Sequence, residues 1–183
     1  MTNKIIVIDL EATCWEEDGE YQKLHSEIIE IGICVLDTHD GSISGHKGIL
    51  VKPVSSEISP FCTQLTTITP EMVAEQGISL PEACALLKKE YQAGHYTWSS
   101  YGAYDKTFLS EQCRKQGINF PMNKEHINIK VWLSKAFGMD KGWGMKRALE
   151  KLQIKMEGTH HRGVDDANNS AKILWWILNN PNG

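Results

Sequence analysis

Asp9 and Glu11 stand two residues apart at the end of an apolar run, Ile5-Ile6-Val7-Ile8. Successive side chains of a strand alternate faces, so the two carboxylates share one side and lie a few ångströms apart. Like charges placed this way repel, and burying them unpaired is costly. A bridging cation removes both difficulties, and hard divalent ions such as Mg²⁺ prefer oxygen ligands. The same pattern also arises where a strand runs out into a solvated acidic turn, and Glu16, Glu17 and Asp18 follow here.

Two further groups bear on the same chemistry. Asp105 follows Ser100-Tyr101-Gly102-Ala103-Tyr104 at the mouth of a helical pattern. An aspartate there also compensates a helix dipole. His160, His161, Asp165 and Asp166 surround a helix start near Gly163. Positions five apart on a helix differ by about 140° in direction, at ~3.6 residues per turn. His161 and Asp166 therefore share no helix face, but a loop histidine and a first-turn aspartate can lean toward one point. An imidazole that titrates near neutrality suits a general base. Spacing leaves open whether His160 or His161, and Asp165 or Asp166, takes that part, and ordinary loop imidazoles and dipole-compensating acids give the same pattern.

The elements that must position these groups can be read in order. Ile5–Ile8 reads as a strand buried on both faces, as in a parallel sheet, with its carboxylates at the carboxyl end where open α/β sheets place ligands. A polar turn over 16–20 precedes a second strand over 28–36. Asp37–Gly45 carries turn chemistry before a third strand over 48–52. Consecutive strands with no helix between them predict an antiparallel meander. Glu30, inside an otherwise apolar strand, needs a partner: it either supports the Asp9/Glu11 cluster or faces water at a sheet edge. Thr69-Pro70-Glu71 opens a helix that ends at Gly77, and Ser79-Leu80-Pro81-Glu82 opens another through about Gln92. A fourth strand is expected over 96–99, a helix over 104–116, a short strand over 127–129, and helices over 131–137, 144–152 and 164–178. The pattern is that of an α/β domain with a mixed sheet.

The chain has 183 residues, a length that suits a single domain. Met1-Thr2-Asn3-Lys4 leads directly into the first strand and no apolar run spans a bilayer, so neither a leader nor a membrane segment is expected. Five scattered cysteines without C-x-x-C spacing argue for reduced thiols in the cytoplasm, against a disulfide frame or a zinc site. Net charge is −4, unevenly spread. Residues 1–105 hold 6 basic and 16 acidic residues, and residues 106–183 hold 13 and 7. An acidic metal centre beside a basic half that holds phosphates gives this asymmetry, as do Lys-rich solvated helix faces.

Ile8-Asp9-Leu10-Glu11-Ala12-Thr13-Cys14, Ser100-Tyr101-Gly102-Ala103-Tyr104-Asp105 and His161-Arg162-Gly163-Val164-Asp165-Asp166-Ala167 together resemble the three exonuclease motifs of the DEDDh superfamily. The nearest resemblance is to the Eri-type, histone-mRNA 3′-end exonucleases and their bacterial relatives. It runs nearly end to end and includes Phe61–Thr69 and His126–Lys130. It implies a ribonuclease-H-like fold, a mixed five-stranded sheet flanked by helices over a single exonuclease domain, 1–183. It implies that Asp9, Glu11, Asp105 and Asp166 hold two divalent ions, Mg²⁺ with Mn²⁺ as substitute, and it selects His161 as the base because the family spacing is His, four residues, Asp. Tyr101 stands where relatives usually carry Trp, and Thr67 where many carry Gly. Both positions border the expected nucleotide pocket, so they bear on substrate preference rather than on the reaction.

The activity implied is 3′→5′ removal of nucleoside 5′-monophosphates from single-stranded 3′ ends, with RNA favoured over DNA. Two ions ~3.5–4 Å apart clamp the scissile phosphate in such enzymes. Thr13, Leu65, Thr66, Ile68 and Tyr101 are the expected substrate contacts, with Trp15 a further stacking surface. Trp175 and Trp176, in a long amphipathic helix, are assigned to the core. Alternatives of different kinds are a DNA or short-oligonucleotide exonuclease and a binding module that has lost catalysis. The complete set of motif residues argues against the last.

Overall fold

The computed structural model describes residues 3–17 and 19–180. Met1-Thr2 and Asp18 of the expected acidic turn lie outside them. The chain runs β1 (Lys4–Ala12), α1 (Glu20–His25), β2 (Ile28–Asp37), β3 (Ile43–Leu50), α2 (Pro60–Thr66), α3 (Pro70–Gln76), α4 (Leu80–Tyr91) and β4 (Trp98–Ser100). It continues with α5 (Tyr104–Lys115), β5 (His126–Asn128), α6 (Ile129–Ala136), α7 (Met145–Lys151) and α8 (Gly163–Asn179). The strands form one sheet in the order β3-β2-β1-β4-β5. β1 to β3 make the antiparallel meander, while β4 and β5 run parallel to β1. This is the mixed five-stranded sheet that the sequence predicts.

β1 occupies the centre, and Ile6, Val7 and Ile8 are fully buried. Its two faces serve two cores. Ile6, Ile8 and Leu10 pack with Ile31, Ile33 and residues of α4 and α5, such as Leu87 and Leu109. Ile5 and Val7 pack with Cys34, Leu36 and residues of α6, α7 and α8, such as Leu133, Leu149 and Ala171. By the two-residue period, Asp9 and Glu11 continue the second face, which α8 covers. Trp175 and Trp176 lie against this core, as expected.

Directly opposed residues of an antiparallel pair share a face. Asp9 opposes Gly32 and Glu11 opposes Glu30, so all four look toward the start of α8. Gly32 is what lets α8 come so close: a Cβ there would overlap the Gly163 carbonyl. Gly48, on the next strand, likewise leaves room for the Glu30 carboxylate.

Several boundaries differ from the sequence reading. α1 replaces the end of the acidic turn; it buries no residue and has no side-chain cap, so it leaves no periodic trace. α2 opens with Ser59 as cap and Pro60 in its first turn. That is the same signal as Thr69-Pro70, but no helix was expected there. β3 begins at Ile43 rather than Gly48, because its first residues are polar and largely exposed at the sheet edge. The Ser79/Glu82 capping box and the Thr69 cap are present as expected.

Candidate active site and metal centre

Side-chain oxygens of Asp9, Glu11 and Asp166 come within 4.8 Å of one another. Glu11 and Asp166 are buried, and Asp9 is partly exposed. Asp105 joins them from the start of α5. It does not cap that helix, whose N-cap is Ala103; its Oδ1 accepts the Leu10 backbone N–H at 3.0 Å, just beyond the part of β1 that pairs with β4. The strand that carries Asp9 and Glu11 therefore also fixes Asp105.

Burial and mutual repulsion act on this group together. Glu11 is pushed up to about 8, by burial first and then by the charges of Asp166 and Glu30. Asp9 is raised well above the carboxylate range by burial, with Asp105 the strongest neighbouring charge. Asp105 is raised to about 6 by burial, against the opposing hydrogen bond from Leu10. Asp166 is raised by burial, opposed by contacts from His161 and His160. Four carboxylates held so unfavourably in the absence of cations, with only hard oxygen donors, fit divalent metal.

The loop before α8 resolves the alternatives of spacing in part. Asp165 turns away and accepts the Thr159 N–H at 2.8 Å, whereas Asp166 points into the cluster. His161 takes a left-handed backbone conformation (φ 66°), uncommon for a residue other than glycine, and its N–H donates to Asp166 Oδ2 at 2.9 Å. The imidazole that touches Asp166 belongs to His160, with Nδ1 3.0 Å from Oδ2. The His161 ring stacks on His160, centroids 4.0 Å apart, and is half-buried. Burial, and then the neighbouring His160, lowers the His161 pKa and so favours its neutral, proton-accepting form. Spacing leaves His160 and His161 open as the base and the resemblance selects His161; the His160 contact with Asp166 depends on the loop's conformation.

Glu30 is fully buried in β2, which is interior to the sheet, so the edge alternative is excluded. Its Oε2 accepts the Gly163 N–H at 2.7 Å, and its Oε1 accepts from Arg162 Nη2 at 3.3 Å. Arg162 Nη1 also donates to Thr67 Oγ1 at 3.3 Å. Thr67 itself has φ 61°, a helix C-cap conformation that glycine adopts at lower cost. This clamp ties β2, the start of α8 and the end of α2 together around the carboxylates.

The expected substrate contacts separate into two groups. Leu65 is 37% exposed, but Thr13, Thr66 and Ile68 are buried, at 0, 1 and 0%. Thr13 Oγ1 accepts the Glu27 N–H, and the Thr66 hydroxyl donates to the Cys62 carbonyl. Ile68 packs with Ile29, Leu50 and Val73. These three side chains are taken up by internal contacts, so of the expected contacts Leu65 and Tyr101, with Trp15, are the ones that expose side-chain surface. Tyr101 is partly buried against the α8 core, with its hydroxyl donating to the Trp143 carbonyl at 3.0 Å. Trp15 is partly exposed and edge-on to Tyr21. The aromatic surface that the sequence reading missed is Tyr104. It is 57% exposed, stacked on Phe108, and next in the chain to Asp105. Its one legible signal was that adjacency.

Residues 6–174 match the Exonuclease (RNase_T) family. The chain belongs to this family. Among curated proteins, 3′-5′ exoribonuclease 1 of Rattus norvegicus is 33% identical over 95% of this chain and 52% of its own length. The probable 3′-5′ exonuclease KapD of Bacillus subtilis is 26% identical over 94% of this chain and 83% of its own. This family member thus spans about half the length of the mammalian exoribonuclease 1 relatives it matches. Among solved structures, the nuclease domain of 3′hExo, a DEDDh family member bound to rAMP, aligns with a TM-score of 0.87 at 29% identity, covering 97% of this chain and 92% of that one. The fold is the ribonuclease-H-like exonuclease fold.

Proposed function

We propose that residues 1–183 act as one exonuclease domain that removes nucleoside 5′-monophosphates from the 3′ ends of single-stranded RNA, with Mg²⁺ as cofactor and Mn²⁺ as substitute. The observation that carries this reading is the meeting of Asp9, Glu11 and Asp166 from β1 and α8, with Asp105 of α5 anchored to the Leu10 N–H and acting on Asp9 as its strongest neighbouring charge. Membership of the exonuclease family and the likeness to 3′-5′ exoribonucleases support it.

Asp9, Glu11, Asp105 and Asp166 would hold the ions. Bound divalent cations would cancel the carboxylate repulsion, draw in the scissile phosphate and acidify a water for attack. His161, kept neutral by burial, accepts the proton of the attacking water. Asp166 is held by the His161 N–H and the His160 ring, while Glu30 and Arg162 fix the turn that carries all three. The exposed Leu65 and Tyr104 would receive the terminal base, which must splay from a single strand to stack.

RNA is preferred to DNA in this reading because the family relatives named for a substrate are exoribonucleases. No described helix is long and apolar enough to cross a membrane, and all five cysteines are free. A reducing cytoplasm fits those thiols. The test is incubation of purified protein with 5′-labelled single- and double-stranded RNA and DNA, in Mg²⁺, Mn²⁺ or EDTA. A ladder shortening from the 3′ end of single-stranded RNA, absent in EDTA and in Asp105→Asn, is expected. Activity of Asp105→Asn near that of the parent in saturating Mg²⁺ would remove the four-carboxylate centre.

A further inference from the structure

α7 and the loop before α8 enclose an open cavity of about 420 Å³, lined by Lys146, Arg147, Glu150, Lys151 and His160. Three permanent cations face one carboxylate there. Among the described residues, none of those four charged side chains takes part in an ion pair or a hydrogen bond, although four Lys/Arg–Glu ion pairs form elsewhere. Such a surface has unspent charge.

Its position gives that charge a use. His160 is at once a wall of the cavity and the imidazole in contact with Asp166, so the cavity and the carboxylate cluster are neighbours across one side chain. The segment that leads into α7 is tied to the β4–α5 connection that precedes Asp105, since the Trp143 carbonyl accepts the Tyr101 hydroxyl at 3.0 Å. Cations bound by the acidic cluster can accommodate the phosphate being cut. Every other phosphate of a strand meets uncompensated carboxylates unless it is led away from them. An arginine fork and two ammonium groups suit phosphodiester oxygens.

We infer that the Lys146/Arg147/Lys151 cavity is a subsite for backbone phosphates of the nucleotides upstream of the scissile bond. It guides the strand away from the acidic centre and sets a preference for substrates longer than a dinucleotide. The inference rests on the exonuclease reading. Contacts to the backbone carry no base identity, so the subsite is sequence-independent.

The experiment compares the parent protein with Arg147→Gln/Lys151→Gln and Arg147→Glu/Lys151→Glu on a 12-nucleotide RNA and on a dinucleotide, whose only phosphate is the one cut. Thermal melts check folding, and the neutral pair guards against long-range repulsion from the reversed charges. For the 12-mer, kcat/KM should fall about tenfold in the neutral pair and further in the reversed pair, mainly through KM. The ratio of 12-mer to dinucleotide efficiency should fall with it. The log–log dependence of 12-mer binding on salt should flatten by about 0.7 for each phosphate that the variant no longer neutralises. Inhibition by AMP, a product that offers only a terminal phosphate, should change much less than 12-mer binding. Equal losses on both substrates, or an equal weakening of AMP inhibition, would place these cations at the terminal nucleotide and overturn the subsite. An unchanged salt slope would overturn it as well. A parent protein idle on both substrates overturns the exonuclease reading itself, which keeps the two failures apart.

Discussion

Stripping divalent ions from this protein leaves its carboxylates facing only one another, and the metal-free protein should then lose stability as pH rises. Glu11 is 8% exposed and its pKa rises from 4.5 to about 8 in the fold. Between those values the native state holds a proton that the unfolded chain has released. The associated stability is fully present below about pH 4.5 and is lost as pH climbs through about 8. At ~1.36 kcal/mol per pH unit, that interval corresponds to about 5 kcal/mol. Asp105, raised to about 6, acts in the same direction over a narrower window. For a domain of this size ~1 kcal/mol moves the melting temperature by roughly 2–4 °C, so a drop on the order of 10–20 °C is expected between pH 5 and pH 8.5. The assay is thermal unfolding by circular dichroism across that range, in EDTA and in Mg²⁺. Mg²⁺ should raise the melting temperature far more at pH 8 than at pH 5, because at low pH protons already occupy the site. Glu11→Gln should melt higher than the parent at pH 8 in EDTA, with a flatter profile. A melting temperature in EDTA that stays level from pH 5 to pH 8.5, or a Glu11→Gln profile as steep as the parent's, would refute the reasoning.

The two adjacent histidines should separate by their response to metal. His161→Ala should lower single-turnover cleavage by ~10²–10⁴-fold at every Mg²⁺ concentration and lose the rising acid limb, which lies below the usual imidazole range in the parent because burial lowers the pKa. His160→Ala, which frees Asp166, should instead raise the Mg²⁺ needed and recover when Mg²⁺ is saturating; failure to recover would give His160 a direct part in chemistry. Gly32→Ala puts a methyl where the Gly163 carbonyl lies, so α8 and Asp166 must shift. It should cost ~1–3 kcal/mol in urea unfolding and, since a 1 Å misplacement can cost ~10²-fold, at least that in kcat. Glu30→Gln keeps the shape but leaves Arg162 without its buried charge partner. A loss of ~1–3 kcal/mol in urea unfolding is expected from the weakened hydrogen bonds, and an unaffected midpoint would show that the clamp is not structural.

Local rules were enough to locate much of this protein. The two-residue strand period put Asp9 and Glu11 on one face, and cap residues opened α3 and α4 where the structure has them. Apolar runs marked β1 and β2 because a strand buried on both sides leaves no choice of residue type. Where burial is slight the signal weakens, which is why the exposed α1 and the polar start of β3 went unread. The Ser59-Pro60 opening of α2 carries the same cap signal as Thr69-Pro70.

Which side chains meet was decided only in three dimensions. Glu30 announced that it needed a partner, but that partner lies 132 residues away and reaches it because Gly32 lets α8 descend onto the sheet. Asp105 reads on its own as a helix-dipole acid, and the Leu10 N–H of a strand 95 residues earlier holds it beside the cluster. Thr13, Thr66 and Ile68 carry the motif yet lie beneath the surface, since a sequence pattern records that a residue is required and not the side from which it acts. The backbone of His161, held at φ 66°, set which imidazole rests on Asp166. Residue type and spacing are local properties of the chain; burial and partners arise from the packing of distant segments, and in this site that packing assigns each carboxylate its neighbours.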